Sequence, residues 1–308
     1  MTILFKEFFK SFNFLVKIKR NLSKFNSRPR VFRDGKYFLN LFNLIDGRNI
    51  KSLDLSRGLV KGKFKGVEYL LNMTPGNLIE TYIFIDGMWE PHIANLISSY
   101  LLKSNIAVLD IGANIGATTI PLAKKYPNAK FYLFEPHPEV FSTLQENCSY
   151  NKLTNVELIN AAISNVDSDC IKFHAQRRSD NMGLSSIRLN HDIKNYETIN
   201  IRAIQVDKYF SSIKESIAVI KIDTQGSELQ VLKSARHTIS THRPVIFFEF
   251  ESGYFPNKEE ENNTKVDILE FFENQRYQLF CLNQECNYLP LVTLNDYFRG
   301  DILAVPSN

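Results

Sequence analysis

From residue 105 to 305 the chain alternates short apolar runs with longer segments whose apolar residues recur every three or four positions. The short runs predict strands near 106–111, 130–135, 155–159, 217–222, 244–250, 277–282 and 300–305. The periodic segments predict helices near 115–125, 138–150, 226–239 and 265–275, with Pro121 able to kink the first of them. Regular alternation of strand and helix predicts an α/β fold. Its sheet is expected to be doubly wound and Rossmann-like, with about seven strands, mostly parallel. The last two strands follow each other with little helix between, so one antiparallel strand is expected near the C-terminal end.

Two regions break the rhythm. Residues 165–215 read as an insertion, with extended pieces at 169–174 and 198–205 and a polar loop between Arg177 and Asn190. Upstream, residues 1–75 read as a basic, aromatic N-terminal extension, and 76–308 as the α/β domain carrying the insertion. Short strands and turns are expected across 31–75. Thr81 to Ile85 reads as extended, followed by Asp86-Gly-Met-Trp-Glu90-Pro and a helix up to Lys103.

The strand predicted near 106–111 runs directly into Asp110-Ile-Gly-Ala-Asn-Ile-Gly116. Gly112 and Gly116 permit a tight turn and a close backbone approach. Strand, glycine turn and helix N-terminus make a nucleotide-cofactor pocket. A dinucleotide site would show G-x-G-x-x-G, so that a pyrophosphate can rest on the helix. Here the middle glycine is absent and Asp110 stands at the strand end, where it would repel a pyrophosphate. The ammonium and sulfonium of S-adenosylmethionine would be attracted instead. Glu135 ends the next strand, 25 residues on, close to the spacing of an acid that holds a ribose diol by charge-assisted bonds. Ile217 to Glu228 is a further core strand that ends in Lys221 and Asp223, with Gly226 opening a helix. Asp110, Glu135 and Asp223 thus gather at the carboxyl edge of the sheet, where such folds bind ligands.

These pieces resemble the FkbM-type S-adenosylmethionine-dependent methyltransferases. The resemblance rests on Asp86 to Pro91, Val108 to Gly116, Phe134-Glu-Pro136, Asn160 to Ser164, Lys221 to Glu228, Phe248-Glu249 and Asp301 to Pro306. Gln225 stands where glutamate is commoner. The resemblance implies S-adenosyl-L-methionine as cofactor and methyl transfer to an oxygen, on a sugar, glycolipid or small metabolite. It implies that Asp110, Gly112, Asn114 and Gly116 hold the methionine part, with Glu90 closing over it. Glu135 would hold the ribose, and the turn from Asn160 to Ala162 would lie by the adenine. Asp223 is the first candidate for general base and Glu249 the second, although Glu249 is read rather as a partner of Lys221. His174 could reach the site from the insertion but is read as a surface or core residue. Glu228 is read as a helix N-terminal acid. Valine at Gly112 is expected to abolish cofactor binding and spare the fold.

Charge and cysteines narrow the classes. The net charge is +4, of which residues 1–30 carry +7 (eight Lys and Arg against Glu7), leaving −3 for the rest. A slightly acidic body argues against a nucleic-acid surface there. Phe5, Phe8, Phe9 and Phe12 share one helical face among lysines. Residues 1–25 therefore have a route to peripheral contact with an anionic membrane, the plainer alternative being a helix packed on the body. Charges at Lys6, Glu7 and Lys10 argue against a signal peptide, and no run reaches the ~18 apolar residues of a span. The expected setting is cytoplasmic, at most peripheral at the inner face of a membrane. Cys148, Cys170, Cys281 and Cys286 read as reduced thiols, and no metal site is expected. The expected partner is a small-molecule or glycan acceptor. The alternatives are a non-catalytic nucleotide-cofactor-binding module and a methyltransferase acting on another acceptor atom.

Overall fold

The computed structural model describes residues 53–54, 59–72, 88–102, 105–176, 185–187, 196–251, 254–282, 288–290 and 300–307. The extended piece at 81–85, the N-terminal 25 residues and the loop 177–184 lie outside them. The chain divides into two compact units, Met1–Gly58 and Leu59–Asn308. Of the first, only a two-residue strand, β1 (Leu53–Asp54), is described.

The second unit opens with a hairpin, β2 (Leu59–Phe64) and β3 (Val67–Asn72), turned at Lys65 and Gly66. Helix α1 (Pro91–Tyr100) follows, with proline in its first turn. The main sheet then forms from β4 (Ile106–Ile111), β5 (Lys130–Phe134), β6 (Val156–Ile159), β10 (Ser216–Ile222), β11 (Val245–Phe250), β12 (Tyr277–Leu282), β13 (Tyr288–Pro290) and β14 (Gly300–Pro306). Its spatial order is β13-β12-β14-β11-β10-β4-β5-β6. The pairs from β6 through β11 are parallel, and β14 runs antiparallel between β11 and β12. The expected mostly parallel, doubly wound sheet is therefore present, with its antiparallel strand at the C-terminal end. The short edge strand β13 adds an eighth. Every residue of β4 is buried, so both faces of the sheet are covered at its centre.

The four expected helices are present as five, close to the expected places. α2 (Thr119–Lys125) starts four residues later than its pattern predicts, because Asn114 and Gly116 spend 112–118 on a turn in which Gly116 N–H donates to the Ala113 carbonyl. Pro121 consequently falls in the first helical turn, where no N–H is needed, and the expected kink is not made. α3 (Pro138–Tyr150) matches its prediction. The helix expected over 226–239 is two, α5 (Glu228–Ser234) and α6 (Arg236–His242). They part at Ala235, where the Asp207 carboxylate accepts from His237 N–H and Thr238 N–H and so caps the second helix. Asp207 belongs to α4 (Val206–Tyr209). α7 (Lys258–Asn274) begins seven residues before its apolar period does. Asn257 caps it, accepting from Glu260 N–H, and three glutamates fill its first turn.

The insertion is a second sheet, ordered β7 (Ala162–Ile163), β9 (Tyr196–Ile204), β8 (Ser168–Gln176). β7 leaves the main sheet directly after β6, so this sheet starts at the ligand edge.

Candidate active site

Register assembles the site. Lys221 on β10 sits beside Asp110 on β4, and Glu249 on β11 lies opposite Asp301 on antiparallel β14. Asp223 follows β10, its N–H donating to the Ile111 carbonyl, so the ladder carries it to the turn that Gly112 makes. At Gly112, with φ +85°, a Cβ would stand 1.9 Å from the Asp223 carbonyl oxygen. Glycine is needed there to let two backbones touch, and valine would damage the fold. The expectation that valine spares the fold is thereby corrected. Gly116, also at positive φ, has its missing Cβ filled by Ile120 and Leu144, so it serves the seating of α2 on α3.

A cleft of about 600 Å³, open to solvent, lies over these strand ends. Gly112, Asn114, Glu135, Ala162, Asp223 and Gln225 line it. Phe134, Ala161, Ile163 and Phe173 give it an apolar part suited to a flat base. Its charged lining residues are Glu135 and Asp223, with no lysine or arginine among the described ones. Glu135 is buried, and each of its oxygens accepts one backbone N–H, from Asn114 at 2.9 Å and His137 at 2.8 Å. Burial pushes its carboxyl up to about 7 against those two bonds. A carboxylate has about four acceptor positions, so two remain for a diol. Asn160 is not a lining residue. Its amide donates to the Glu135 and Pro136 carbonyls and holds the β5 end against the turn after β6.

Asp110 is not a lining residue either. Its side chain is 2% exposed, accepts from Thr119 Oγ1 and pairs with Lys221 Nζ at 3.8 Å. It anchors the strand end from below. Burial raises its pKa, opposed by Lys221 and Thr119.

A second cavity opens on the other side of Asp223, lined by Glu90, Ile93, Lys221, Phe247, Glu249 and Asp301 among others. Asp223 borders both spaces. Its carboxylate pairs with Lys221 at 3.5 Å and accepts from Gln225 Nε2 at 2.8 Å. Gln225 donates here as glutamate could not, and its buried Oε1, which has no hydrogen-bond partner, remains to accept from a ligand. Lys221 thus pairs with Asp110 and Asp223, and the expected Lys221–Glu249 pairing is replaced. Glu249 accepts from Tyr254 O–H at 3.4 Å. Burial, then Asp223 and Asp301, push its carboxyl up to about 8. Glu90, at φ 46°, accepts from Thr118 Oγ1 at 2.8 Å and belongs to this second cavity rather than to the cleft. His174 lines neither space and meets Thr198 on the neighbouring strand.

The profile of the methyltransferase FkbM domain matches residues 110–279, more than half of the chain. The chain belongs to the FkbM methyltransferase family. S-adenosylmethionine is the cofactor of this methyltransferase, and the cleft suits it: carboxylates without a phosphate-binding cation, an apolar slot and an unsatisfied acceptor. The chain is 24% identical over 192 residues to Methyltransferase sdnD of Sordaria araneosa, covering 54% of this chain and 71% of that one. To 2-O-methyltransferase NoeI of Sinorhizobium fredii (strain NBRC 101917 / NGR234) it is 26% identical over 207 residues, covering 62% and 83%. Among solved structures, the methyltransferase FkbM of Methylobacillus flagellatus KT superposes with a TM-score of 0.39 at 18% identity, covering 66% of this chain and 45% of that one.

Several FkbM-site residues carried no sequence signal of their own. Thr118 and Thr119, which hold Glu90 and Asp110, look like ordinary helix-start residues. His92, paired with Asp301 at 3.0 Å, and Tyr254, which donates to Glu249, meet these lining residues of the second cavity only through the fold. Glu228 stands in the first turn of α5, as the dipole reading expects, and also accepts from Thr224 and Gly226 N–H, which fixes the loop that carries Asp223 and Gln225. No helix of the described residues is long and apolar enough to cross a membrane.

Proposed function

We propose that this methyltransferase transfers its methyl group to a hydroxyl of a sugar, glycolipid or small metabolite held in the second cavity. The observation that carries the reading is Asp223, which borders the cofactor cleft on one side and the second cavity on the other. When bound, S-adenosylmethionine supplies a methyl carbon on positive sulfur, and the electron pair of the broken C–S bond leaves with sulfur. Gly112 and Asn114 would seat its methionine part, Glu135 its ribose, and Ala162 with Phe173 its adenine. Asp223 then orients donor and acceptor across the shared wall. Alignment of this kind can supply up to ~7–11 kcal/mol.

Glu249 is the general base in this reading, ahead of Asp223. Asp223 is engaged by Lys221 and Gln225, whereas Glu249 faces the second cavity with a pKa near the working pH. It takes the acceptor O–H proton while the oxygen's pair forms the O–CH₃ bond. The name of the relative NoeI, a 2-O-methyltransferase, supports an oxygen acceptor.

Incubation with methyl-labelled S-adenosylmethionine and a panel of glycosides, amino sugars and simple alcohols tests this. The expected product carries label that survives alkali, as an ether does. Glu249→Gln should lower kcat about 10²–10⁴-fold with cofactor Kd within about threefold. Label found only on nitrogen, or wild-type turnover in E249Q, would reject the reading.

A further inference from the structure

We propose that Lys221 is a catalytic residue of the transfer site: its ammonium, forming part of the second cavity beside Glu249, donates to the acceptor oxygen and stabilises the negative charge that grows there. The inference rests on the hydroxyl-transfer reading above and assigns a further group to the same site.

Lys221 is an unusual presence in the core of a parallel sheet. Its side chain is 8% exposed, and register seats it next to Asp110 in the buried centre. An ion pair for structure alone would be served by close bonds. Yet Nζ stands 3.8 Å from Asp110 and 3.5 Å from Asp223, both long for N–H···O bonds. An ammonium has three protons to place. The carboxylates of Asp110, Asp223, Glu90 and Glu249 approach it from β4, from the loop after β10, from the turn before α1 and from β11. Burial opposes its charge, and those carboxylates outweigh burial, so it stays protonated. Of these groups, Lys221, Asp223, Glu90 and Glu249 line the second cavity, where Lys221 is the one lysine or arginine among the described lining residues.

The chemistry of that cavity asks for such a group. A hydroxyl loses its proton to Glu249 only if the oxygen left behind is stabilised, and four carboxylates around it, Glu90, Asp223, Glu249 and Asp301, do the reverse. A fixed, dry donor aimed at the growing charge supplies the missing term. The proton passes from acceptor oxygen to Glu249, the oxygen's pair bonds the methyl carbon, and Lys221 keeps its own proton throughout. The ether oxygen formed is neutral, so the ammonium's hold on it weakens once transfer is complete.

The test uses the full chain and two ligands, read by calorimetry. One is S-adenosylhomocysteine. The other is sinefungin, whose amine-bearing carbon replaces the sulfur–methyl unit and so sets a positive charge at the transfer point. In Lys221→Gln the preference for sinefungin over S-adenosylhomocysteine should rise at least tenfold, because a like charge leaves and Asp223 and Glu249 lose their counter-ion. Lys221→Arg, which keeps the charge, should hold the wild-type preference within about threefold. Should K221Q not fold, the D110N/K221Q double variant removes both charges of the buried pair and carries the same expectation. An unchanged preference in whichever of these folds, or the same rise in K221R, overturns the proposal. On the hydroxyl acceptor that the panel returns, K221Q should lower kcat about 10²–10³-fold with the KM for S-adenosylmethionine within threefold. A loss confined to KM also overturns it. If the panel returns no hydroxyl acceptor, the oxygen-transfer reading fails, and the ligand preference still decides whether the ammonium faces the transfer point.

Discussion

At position 112 even an alanine would put its Cβ 1.9 Å from the Asp223 carbonyl oxygen, and the φ of +85° strains any side chain. Overcrowding and strain each cost ~1–3 kcal/mol. Gly112→Val should therefore destabilise the protein by roughly 2–6 kcal/mol, and a thermal melt equal to wild type would contradict the contact. The sequence pointed to a special backbone here but not to its neighbour, because residues 112 and 223 meet only through parallel pairing of β4 and β10. Glu135 gives a prediction of another kind. Its carboxyl is raised to about 7, and a ribose diol must donate to the ionised form. Cofactor affinity should thus fall as pH drops from 8 to 6, with proton release on binding near pH 6. Calorimetry in two buffers of different ionisation enthalpy reads that proton, and a Kd flat across the interval would remove Glu135 from the ribose.

Among the elements, the hairpin β2–β3 is held from the side by a helix. Asn151, which caps the C-terminus of α3, donates to the Leu70 carbonyl at 2.6 Å and accepts from Leu70 N–H at 2.9 Å, as a neighbouring strand residue would. Asn147, one turn earlier, accepts from Asn72 N–H and donates to the Ile115 carbonyl, so it also braces the glycine turn. Asn151→Ala removes the two hairpin bonds at ~1 kcal/mol each, and with them the amide's bond to the Asn147 carbonyl and the one from Lys124 Nζ. It should cost at least ~2 kcal/mol and speed amide exchange across 59–72 while cofactor affinity stays put. Exchange unchanged in that hairpin would show that its hold lies elsewhere. Elements with an apolar period were legible in the sequence: β4, β5, β10, β11 and α3 stand where the pattern puts them. α7 was not, at its start, because Lys258 to Asn263 has no apolar stripe. What makes it helical is the Asn257 cap and the buried Glu261, paired with Lys258 and Lys265. The break at Ala235 was likewise invisible, since its cause, Asp207, lies some thirty residues upstream.

At the scale of the whole molecule, the buried acids gathered around the site share one direction. Burial first of all raises Glu135 and Glu228 to about 7 and Glu249 to about 8, from 4.5. Asp301 raises His92. The folded protein therefore holds more protons than the unfolded chain between about pH 4.5 and 8, and stability must fall as pH rises through that window. The ligand-free protein should melt several degrees lower at pH 8 than at pH 5.5, and saturating S-adenosylmethionine, a cation that binds the ionised form, should narrow the gap. A melt that rises with pH would contradict the buried carboxylates as a set. The positions that foretold this site were acids at strand ends. Which of them faces ligand, and which sits beneath as Asp110 does, depends on the pleat and on Lys221. One further consequence attaches to the glycine-wide seam between the Gly112 turn and Asp223. The cleft and the second cavity hang from a common hinge-pin of main chain that tolerates no added atom. Anyone retuning this scaffold toward new acceptors should leave that pin untouched and recut the far wall, at Phe247 and Asp301.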